Sequence, residues 1–266
     1  MAKQSGIHQL KGKVRGVSYY RQKGVEDGLA RAINQGMSER VKNDDGYANT
    51  RLNAAEFGSA GSFAGACIRM ISDRQRTMLK DFATGELAKA VKRQIIADSV
   101  NDWGKRMLPG TGWQEEMLQR ISGYAKNDFQ NEVGGTWDVA VSVEGSNATW
   151  KPNAELSQGW GYNLGEKGVE KCSIEMFAYR IELLASAEGS AKGFGEVALI
   201  ASNLATVGES VTLTTPATIP ASFDGEQKDN VLTGVLVVIV PMQVVNGKNY
   251  PRQELCTFKL LPVQTA

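Results

Sequence analysis

The pattern of hydrophobic and polar positions changes along the 266 residues, and its first part predicts extended structure. Glycines punctuate residues 7–34, which predicts an extended arm or a hairpin that turns at residues 22–24. Residues 35–48 are mostly polar and contain the turn signal Asn43-Asp44-Asp45-Gly46, so a loop is predicted there. The β-forming side chains of the arm are Val14, Val17, Tyr19 and Tyr20.

From residue 49 the apolar positions recur at helical spacing. Asn49 or Thr50 is suited to cap a helix. Gly58, Gly61 and Gly65 lie inside this helix, where each costs about 1 kcal/mol relative to alanine. We therefore expect another backbone to approach the helix closely, either within the subunit or between subunits. The predicted apolar face consists of Phe57, Ala60 or Gly61, Ala64, Ile68 and Ile71.

Two further amphipathic helices are predicted before the hydrophobic pattern changes to that of β-strands. The first follows Thr84-Gly85-Glu86 and ends at the Pro- and Gly-rich residues 109–112. The second covers residues 113–126. Their apolar stripes are Leu87, Val91, Ile95 and Trp103 in the first helix, and Met117, Ile121 and Tyr124 in the second.

After residue 135 the pattern becomes typical of β-strands. Alternation predicts strands at residues 136–144, 173–187, 195–202 and 210–215. Residues 231–245 and 249–263 flank Asn246-Gly247, the preferred dipeptide for a tight type I′ hairpin turn. The first of these two strands is apolar on both faces, which predicts a central position. Pro241 interrupts its ladder and indicates a bulge or an edge.

The order of these elements predicts an α+β fold. It comprises an N-terminal extended arm or hairpin (residues 1–34), a central helical segment (residues 35–127) and a C-terminal antiparallel, sandwich-like β domain (residues 128–266). Such a chain is long enough to bury a sizeable core.

Charge is unevenly distributed along the chain, although the formal net charge is only +1. Residues 1–127 carry 21 basic and 13 acidic side chains, and residues 128–266 carry 9 basic and 16 acidic ones. A bipolar chain can stack head to tail with copies of itself, or its basic half can face a polyanion. A solvated surface of mixed charge is the third interpretation.

Reactive residue types are scarce, which argues against most enzyme classes. His8 is the single histidine and lies in the basic N-terminal segment, a poor place for a positioned base. The cysteines Cys67, Cys172 and Cys256 are far apart, so we expect three buried thiols rather than a disulfide or a zinc site. The residue composition is compatible with one remaining enzyme class, in which a pair of carboxylates acts alone, as in glycosidases. We predict a non-enzymatic protein without cofactor or metal.

The basic and aromatic residues of the arm suggest an interface. They are suited to lie across a neighbouring subunit, for example by strand addition, and we expect the arm to take its ordered shape there. Contact with a phosphate backbone is the alternative. The predicted subunit interface consists of Lys11, Lys13, Val14, Arg15, Val17, Tyr19, Tyr20, Arg21, Gly58, Gly61 and Gly65.

Three stretches carry a resemblance to known proteins: QSGI, LKGKV and VSYYR within residues 4–21, TRLNAAEFGSAG at residues 50–61, and VVNGKNYP at residues 244–251. They resemble a large uncharacterised family of Bacteroidetes proteins, encoded in chromosomes and in phage-like regions. The resemblance implies a small structural protein made in quantity, with a virion component as one form of it. Residues 110–230 do not take part in it.

These observations predict a structural subunit that self-assembles into a ring, shell or filament, in a phage or phage-derived particle or in the cell. Its partners are copies of itself and other virion proteins. The N-terminus has no apolar signal region and no apolar run is long enough for a membrane span, so we expect synthesis and assembly in the cytoplasm. A nucleic-acid-packaging protein is the main alternative. A carbohydrate-binding or carbohydrate-cleaving β-sandwich using Trp160 and Tyr162 is another.

Overall fold

The structure is a computed structural model that combines helices with antiparallel sheets, which confirms the α+β class. It divides into two compact units, residues 1–53 and residues 54–266. The described residues are 2–4, 10–21, 28–32, 36–72, 78–110, 112–134, 138–144, 149–156, 158–186, 190–213, 217–218, 223 and 228–263.

The first unit contains a four-stranded antiparallel sheet in the order β1-β4-β3-β2. The turn between β2 and β3 is formed by Arg15 and Gly16, both with positive φ (44° and 79°). The turn predicted at residues 22–24 falls outside the described residues. Each of these strands pairs with another strand of its own chain. The strands are β1 (Ala2–Gln4), β2 (Gly12–Val14), β3 (Val17–Tyr20) and β4 (Gly28–Ala32).

The prediction of a loop at residues 35–48 is wrong, because most of these residues are helical. Helix α1 (Met37–Asn43) is followed by a 3-10 turn (Asp45–Tyr47), and α2 begins directly after it. The Asp44 side chain accepts the Gly46 N–H at 2.9 Å and caps the turn. No residue of α1 is buried, so hydrophobic periodicity carries no signal for this helix.

Three longer helices follow, close to the predicted positions: α2 (Ala48–Ser72), α3 (Ala83–Ile96) and α4 (Trp113–Ser122). The predicted face of α2 is rotated by one residue, since Phe57 is 56% exposed whereas Glu56 is buried. Helix α3 ends at Ile96 rather than at residues 109–112, so Trp103 is not on its apolar face. The side chains of α2 that are buried are Glu56, Ser59, Ala60, Phe63, Ala64, Ala66, Cys67 and Ile71.

The remaining elements of the second unit are two short helices and two antiparallel sheets. The smaller sheet contains β5, β6, β9 and β10; the larger has the order β12-β11-β7-β8, with β13 also paired to β11. These elements are α5 (Phe129–Val133), β5 (Asp138–Glu144), β6 (Thr149–Leu156), α6 (Tyr162–Glu166), β7 (Lys171–Leu184), β8 (Lys192–Thr206), β9 (Val211–Leu213), β10 (Ala217–Thr218), β11 (Val231–Val245), β12 (Lys248–Pro251) and β13 (Thr257–Leu261).

Strand β11 is central, as its two apolar faces predict: β7 pairs along one side and β13 and β12 along the other. The β11–β12 turn has positive φ at Asn246 (51°) and Gly247 (76°), which confirms the predicted type I′ geometry. Pro241 lies between the segments of β11 that pair with β13 and with β12, and its carbonyl accepts the Arg252 N–H at 2.7 Å. Proline is therefore tolerated in a buried strand because no ladder bond is lost on that side.

The larger sheet separates two hydrophobic cores. Helices α2, α3 and α4 pack against one face, together with Phe177, Tyr179 and Leu236. The other core contains Met176, Val237 and residues of β9 and α6. Helical and strand residues therefore share one core within residues 54–266. The predicted domain boundaries at residues 34/35 and 127/128 mark the positions where the hydrophobic pattern of the sequence changes.

Candidate functional site: open strand edges and a buried ion cluster

The most unusual polar feature of the described residues is Glu56, a fully buried carboxylate on α2. Its Oε1 atom accepts hydrogen bonds from Arg106 Nε (2.6 Å) and the Gly104 N–H (2.9 Å). Its Oε2 atom accepts from Arg106 Nη2 (2.9 Å) and from Lys92 Nζ. Burial alone raises the pKa of Glu56, but these hydrogen bonds outweigh it and hold the pKa at about 2.

Asp98 fixes the same irregular segment from the other side. Its side chain accepts the N–H groups of Val100 and Met107 at 2.8 Å, and the Asn101 amide also at 2.8 Å. Burial raises the pKa of Asp98, and the hydrogen bonds from Met107, Asn101 and Val100 lower it to about 2. Both carboxylates thus stay ionised at neutral pH and pin residues 98–107.

A surface cleft of about 230 Å³ adjoins this segment. Each Glu56 oxygen already accepts two donors, and a carboxylate held so acidic is a weak base. The arrangement is therefore suited to fixing a loop rather than to moving protons. The cleft is lined by Ser59, Asn101, Gly104, Lys105, Arg106, Met107, Ala185, Ser186 and Ala191.

Other chemistry suggested by the sequence finds little support in the described residues. They contain no group of three or more His, Cys, Asp or Glu placed to hold a metal ion. None of their helices combines the length and apolarity that crossing a bilayer requires. The cysteines are three buried thiols, as expected, and burial raises the pKa of each to about 12. His8 lies outside the described residues.

Trp160 and Tyr162, the candidate carbohydrate platform, do not form a shared surface. Trp160 is buried in the second core, where its indole N–H donates to the Glu209 carbonyl at 2.6 Å. Tyr162 is 72% exposed. A sugar has access to Tyr162 but not to the Trp160 ring, so the carbohydrate hypothesis loses one of its two residues.

The predicted interface residues of the arm lie on β2, on β3 and at their turn. Lys11, Lys13, Val14, Arg15 and Arg21 are exposed. Strand β2 pairs only with β3 among the described strands, so its outer edge carries Lys13 and Val14. The other three predicted residues, Val17, Tyr19 and Tyr20, are partly buried on β3.

The three predicted interface glycines of α2 have different surroundings. A Cβ atom at Gly58 would lie 2.5 Å from Ser190 Oγ, so this close approach occurs within the chain. At Gly65 a Cβ atom would lie 3.2 Å from the Arg69 guanidinium, whereas at Gly61 it would meet no other part of the described chain within 4 Å.

The backbone approach expected for α2 is made by β8. A Cβ atom at Gly193 would lie 2.5 Å from the Ser62 carbonyl oxygen and 2.6 Å from Phe63 Cα. Ser59 Oγ and Ser62 Oγ accept the N–H groups of Ala191 and Gly193, each at 2.8 Å. The beginning of β8 is thereby covered by helix side chains, which is one way in which proteins protect a sheet edge.

The second part of β8, residues 197–206, lies at an edge of the larger sheet, and strands β6, β9 and β10 of the smaller sheet approach β8 without pairing with it. Only β7 pairs with it among the described strands. Its sequence, VALIASNLAT, contains no charged residue, and Leu199 and Leu204 are 50% and 46% exposed. Monomeric proteins usually guard an edge with charge, proline or a covering element. We call residues 197–206 the open edge of β8.

The end of the β11–β12 hairpin is a second exposed apolar element. Residues 243–251 are exposed on both faces, because β7 and β13 end before this part of β11 begins. Its exposed apolar residues are Val244, Val245 and Tyr250. A two-stranded ribbon is marginally stable in water by itself, so an exposed apolar ribbon suggests a docking element.

In comparisons with known proteins, no family model matches this chain and no curated protein matches it. Sequence reasoning missed both the Glu56 cluster and the open edge of β8. Lys92 and Arg106 lie 36 and 50 residues beyond Glu56, so no local spacing relates them. The absence of charge at residues 197–206 is visible in the sequence. Only the order of strands in the folded sheet shows that these residues lie at an edge.

Proposed function

We propose that this protein is a non-enzymatic structural subunit that assembles with copies of itself into a ring, shell or filament. A phage virion or a phage-derived particle is the proposed setting, with synthesis and assembly in the cytoplasm. In this proposal the C-terminal half acts as a sandwich-like domain, and the N-terminal strands act as an arm that contacts neighbouring subunits or other virion proteins.

One observation carries this proposal: the described surface offers several separate places for strand pairing. These are the outer edge of β2, the open edge of β8 and the projecting β11–β12 ribbon. A ring or filament needs two different contact surfaces on each subunit, whereas a simple dimer needs one. The uneven charge along the chain adds attraction between unlike regions of neighbouring copies.

The proposal is tested by light scattering after size exclusion, combined with negative-stain microscopy. We expect a species several times heavier than the 28.8 kDa chain, with repeating subunits in the images. A ribbon variant, Val245→Lys with Tyr250→Lys, should reduce the mass. The matched control is Val100→Lys, since Val100 is 90% exposed on an irregular segment that belongs to no described strand. A wild-type chain that stays monomeric at high concentration contradicts the proposal.

A nucleic-acid-packaging role is the second candidate, and the exposure of the arm's basic residues favours it. Lys11, Lys13, Arg15 and Arg21 are all exposed within one short segment. Binding through such residues should weaken steeply with salt. Retention on heparin at low salt that is lost in the variant with all four residues changed to Gln supports this role, and passage of the wild type without retention contradicts it.

A further inference from the structure

We infer that the open edge of β8 pairs antiparallel with the same edge of a second copy, about a two-fold axis at Ser202. The pairing joins the two larger sheets into one continuous sheet. This inference rests on the proposed function and names the partner of one of its surfaces.

The first step concerns which backbone groups point outward. The N–H groups of Ala191 and Gly193 donate to serine side chains of helix α2. The backbone N–H and C=O groups of odd-numbered residues in this part of β8 therefore point away from β7. Between Met176 and Phe177 of β7 the register shifts, because Leu199 opposes Phe177 and Ala201 opposes Met176. Ile200 is therefore the extra residue of a β-bulge. The bulge reverses the alternation, so after Ile200 the backbone N–H and C=O groups of Ser202 and Leu204 point away from β7.

The second step concerns the spacing of the exposed leucines. Once the bulged residue is left out, Leu199 precedes Ser202 by two positions and Leu204 follows it by two. All three then lie on the same face, and an antiparallel pairing centred on Ser202 places each Leu199 opposite Leu204 of the second copy. Four half-exposed leucines thus meet around the axis. A one-residue slip would remove this match and expose the leucines again.

The third step concerns the identity of the partner. Residues 197–206 contain no charge, so two copies approach without like-charge repulsion, and an acidic or basic peptide finds no complementary group. Charged Lys192 and Glu196 lie in the part of β8 that precedes the open edge. A strand edge also provides both donors and acceptors, and an antiparallel pair of identical edges satisfies both through the two-fold axis.

The test is cysteine cross-linking in the full-length chain. Facing residues of a hydrogen-bonded antiparallel pair have Cα atoms about 5.5 Å apart, which is within the range that a disulfide spans. Ser202→Cys should therefore form a covalent dimer with itself under copper-phenanthroline oxidation. Leu199→Cys mixed with Leu204→Cys should form the mixed dimer in preference to either homodimer. The control is Val100→Cys, and the three native thiols are buried.

Light scattering on the same variants separates the possible results, and their thermal unfolding verifies that each is folded. The inference is supported if Ser202→Cys gives at least tenfold more covalent dimer than the Val100→Cys control. Oligomers without that excess, or equal mixed and homodimer yields for Leu199→Cys with Leu204→Cys, overturn this pairing and leave the proposed function standing. A folded, monomeric chain that does not cross-link overturns both.

Discussion

Glu56 shows how one polar residue can organise a helix and a distant segment. It is fully buried on α2, and its oxygens accept four hydrogen bonds from Lys92, Arg106 and Gly104. Removing one partner of a buried ion pair leaves uncompensated charge in the interior. The residue therefore contributes to stability through the positive charges that it neutralises.

The first prediction concerns the replacement of this carboxylate. Glu56→Gln should lower the free energy of unfolding by about 3 kcal/mol, because Lys92 and Arg106 lose their counter-charge. Urea denaturation measures the change. The matched control, Glu86→Gln, removes an exposed partner of Lys89 on α3 and should cost less than about 0.5 kcal/mol. Equal effects of the two substitutions would contradict the structural role of Glu56.

The second prediction concerns acid. The pKa of Glu56 is about 2 in the folded protein against the usual 4.5, and that of Asp98 is about 2 against 3.8. A lowered folded pKa stabilises the protein above the unfolded pKa, so this stabilisation is lost as pH falls from about 4.5 towards 2. Urea midpoints measured across that range should fall steeply for the wild type and less steeply for Glu56→Gln. Parallel curves would be inconsistent with the ion cluster.

The third prediction concerns the thiols. Burial raises the pKa of Cys67, Cys172 and Cys256 to about 12, so the reactive thiolate is scarce at pH 8. Ellman's reagent should label fewer than one thiol per native chain within minutes and all three in guanidinium chloride. Rapid labelling of the native protein would show that at least one thiol is accessible.

At the scale of elements, close packing between α2 and β8 accounts for one glycine and leaves another unexplained. Gly193 allows the strand to approach the α2 backbone, since a Cβ atom would lie 2.5 Å from the Ser62 carbonyl oxygen. Gly61 is also in this helix, but no atom of the described residues outside its own stretch of helix backbone lies within 4 Å of its Cβ position. The contact between α2 and β8 therefore requires glycine at position 193 and does not require it at position 61.

The fourth prediction tests this difference. Gly193→Ala should lower the midpoint of thermal unfolding, because backbone atoms cannot move aside for the new methyl group. Gly61→Ala is the matched control and should raise stability by up to about 1 kcal/mol through helix propensity. Both midpoints are measurable by circular dichroism. If Gly61→Ala instead disrupts assembly, Gly61 belongs to the predicted subunit interface.

Predictions for individual elements succeeded where burial is strong and local. The β11–β12 hairpin was predictable because Asn246-Gly247 specifies the turn and continuous apolar residues specify a central strand. Helix α1 was missed because it buries nothing. The face of α2 was rotated because Phe57 is an exposed aromatic and Glu56 a buried carboxylate, the reverse of the usual preference.

At the scale of the whole molecule, the open edge of β8 and the arm should respond differently to salt. Pairing through an uncharged edge depends on hydrogen bonds and apolar burial, whereas contacts of the basic arm are electrostatic. Dimers cross-linkable at Ser202→Cys should therefore persist at 1 M NaCl, as measured by light scattering. Any heparin binding by Lys11, Lys13, Arg15 and Arg21 should disappear. A dimer that dissociates in salt would point to charged contacts instead.

The sequence by itself determined the α+β class, the central strand, the type I′ turn and the buried thiols. Each of these follows from residues that are adjacent or regularly spaced, so local propensity and periodicity are sufficient. Only the tertiary structure decided that Glu56 meets Arg106, that helix α2 covers one part of β8, and that residues 197–206 pair with β7 alone among the described strands. These features depend on which distant segments become neighbours, and a linear pattern does not contain that information.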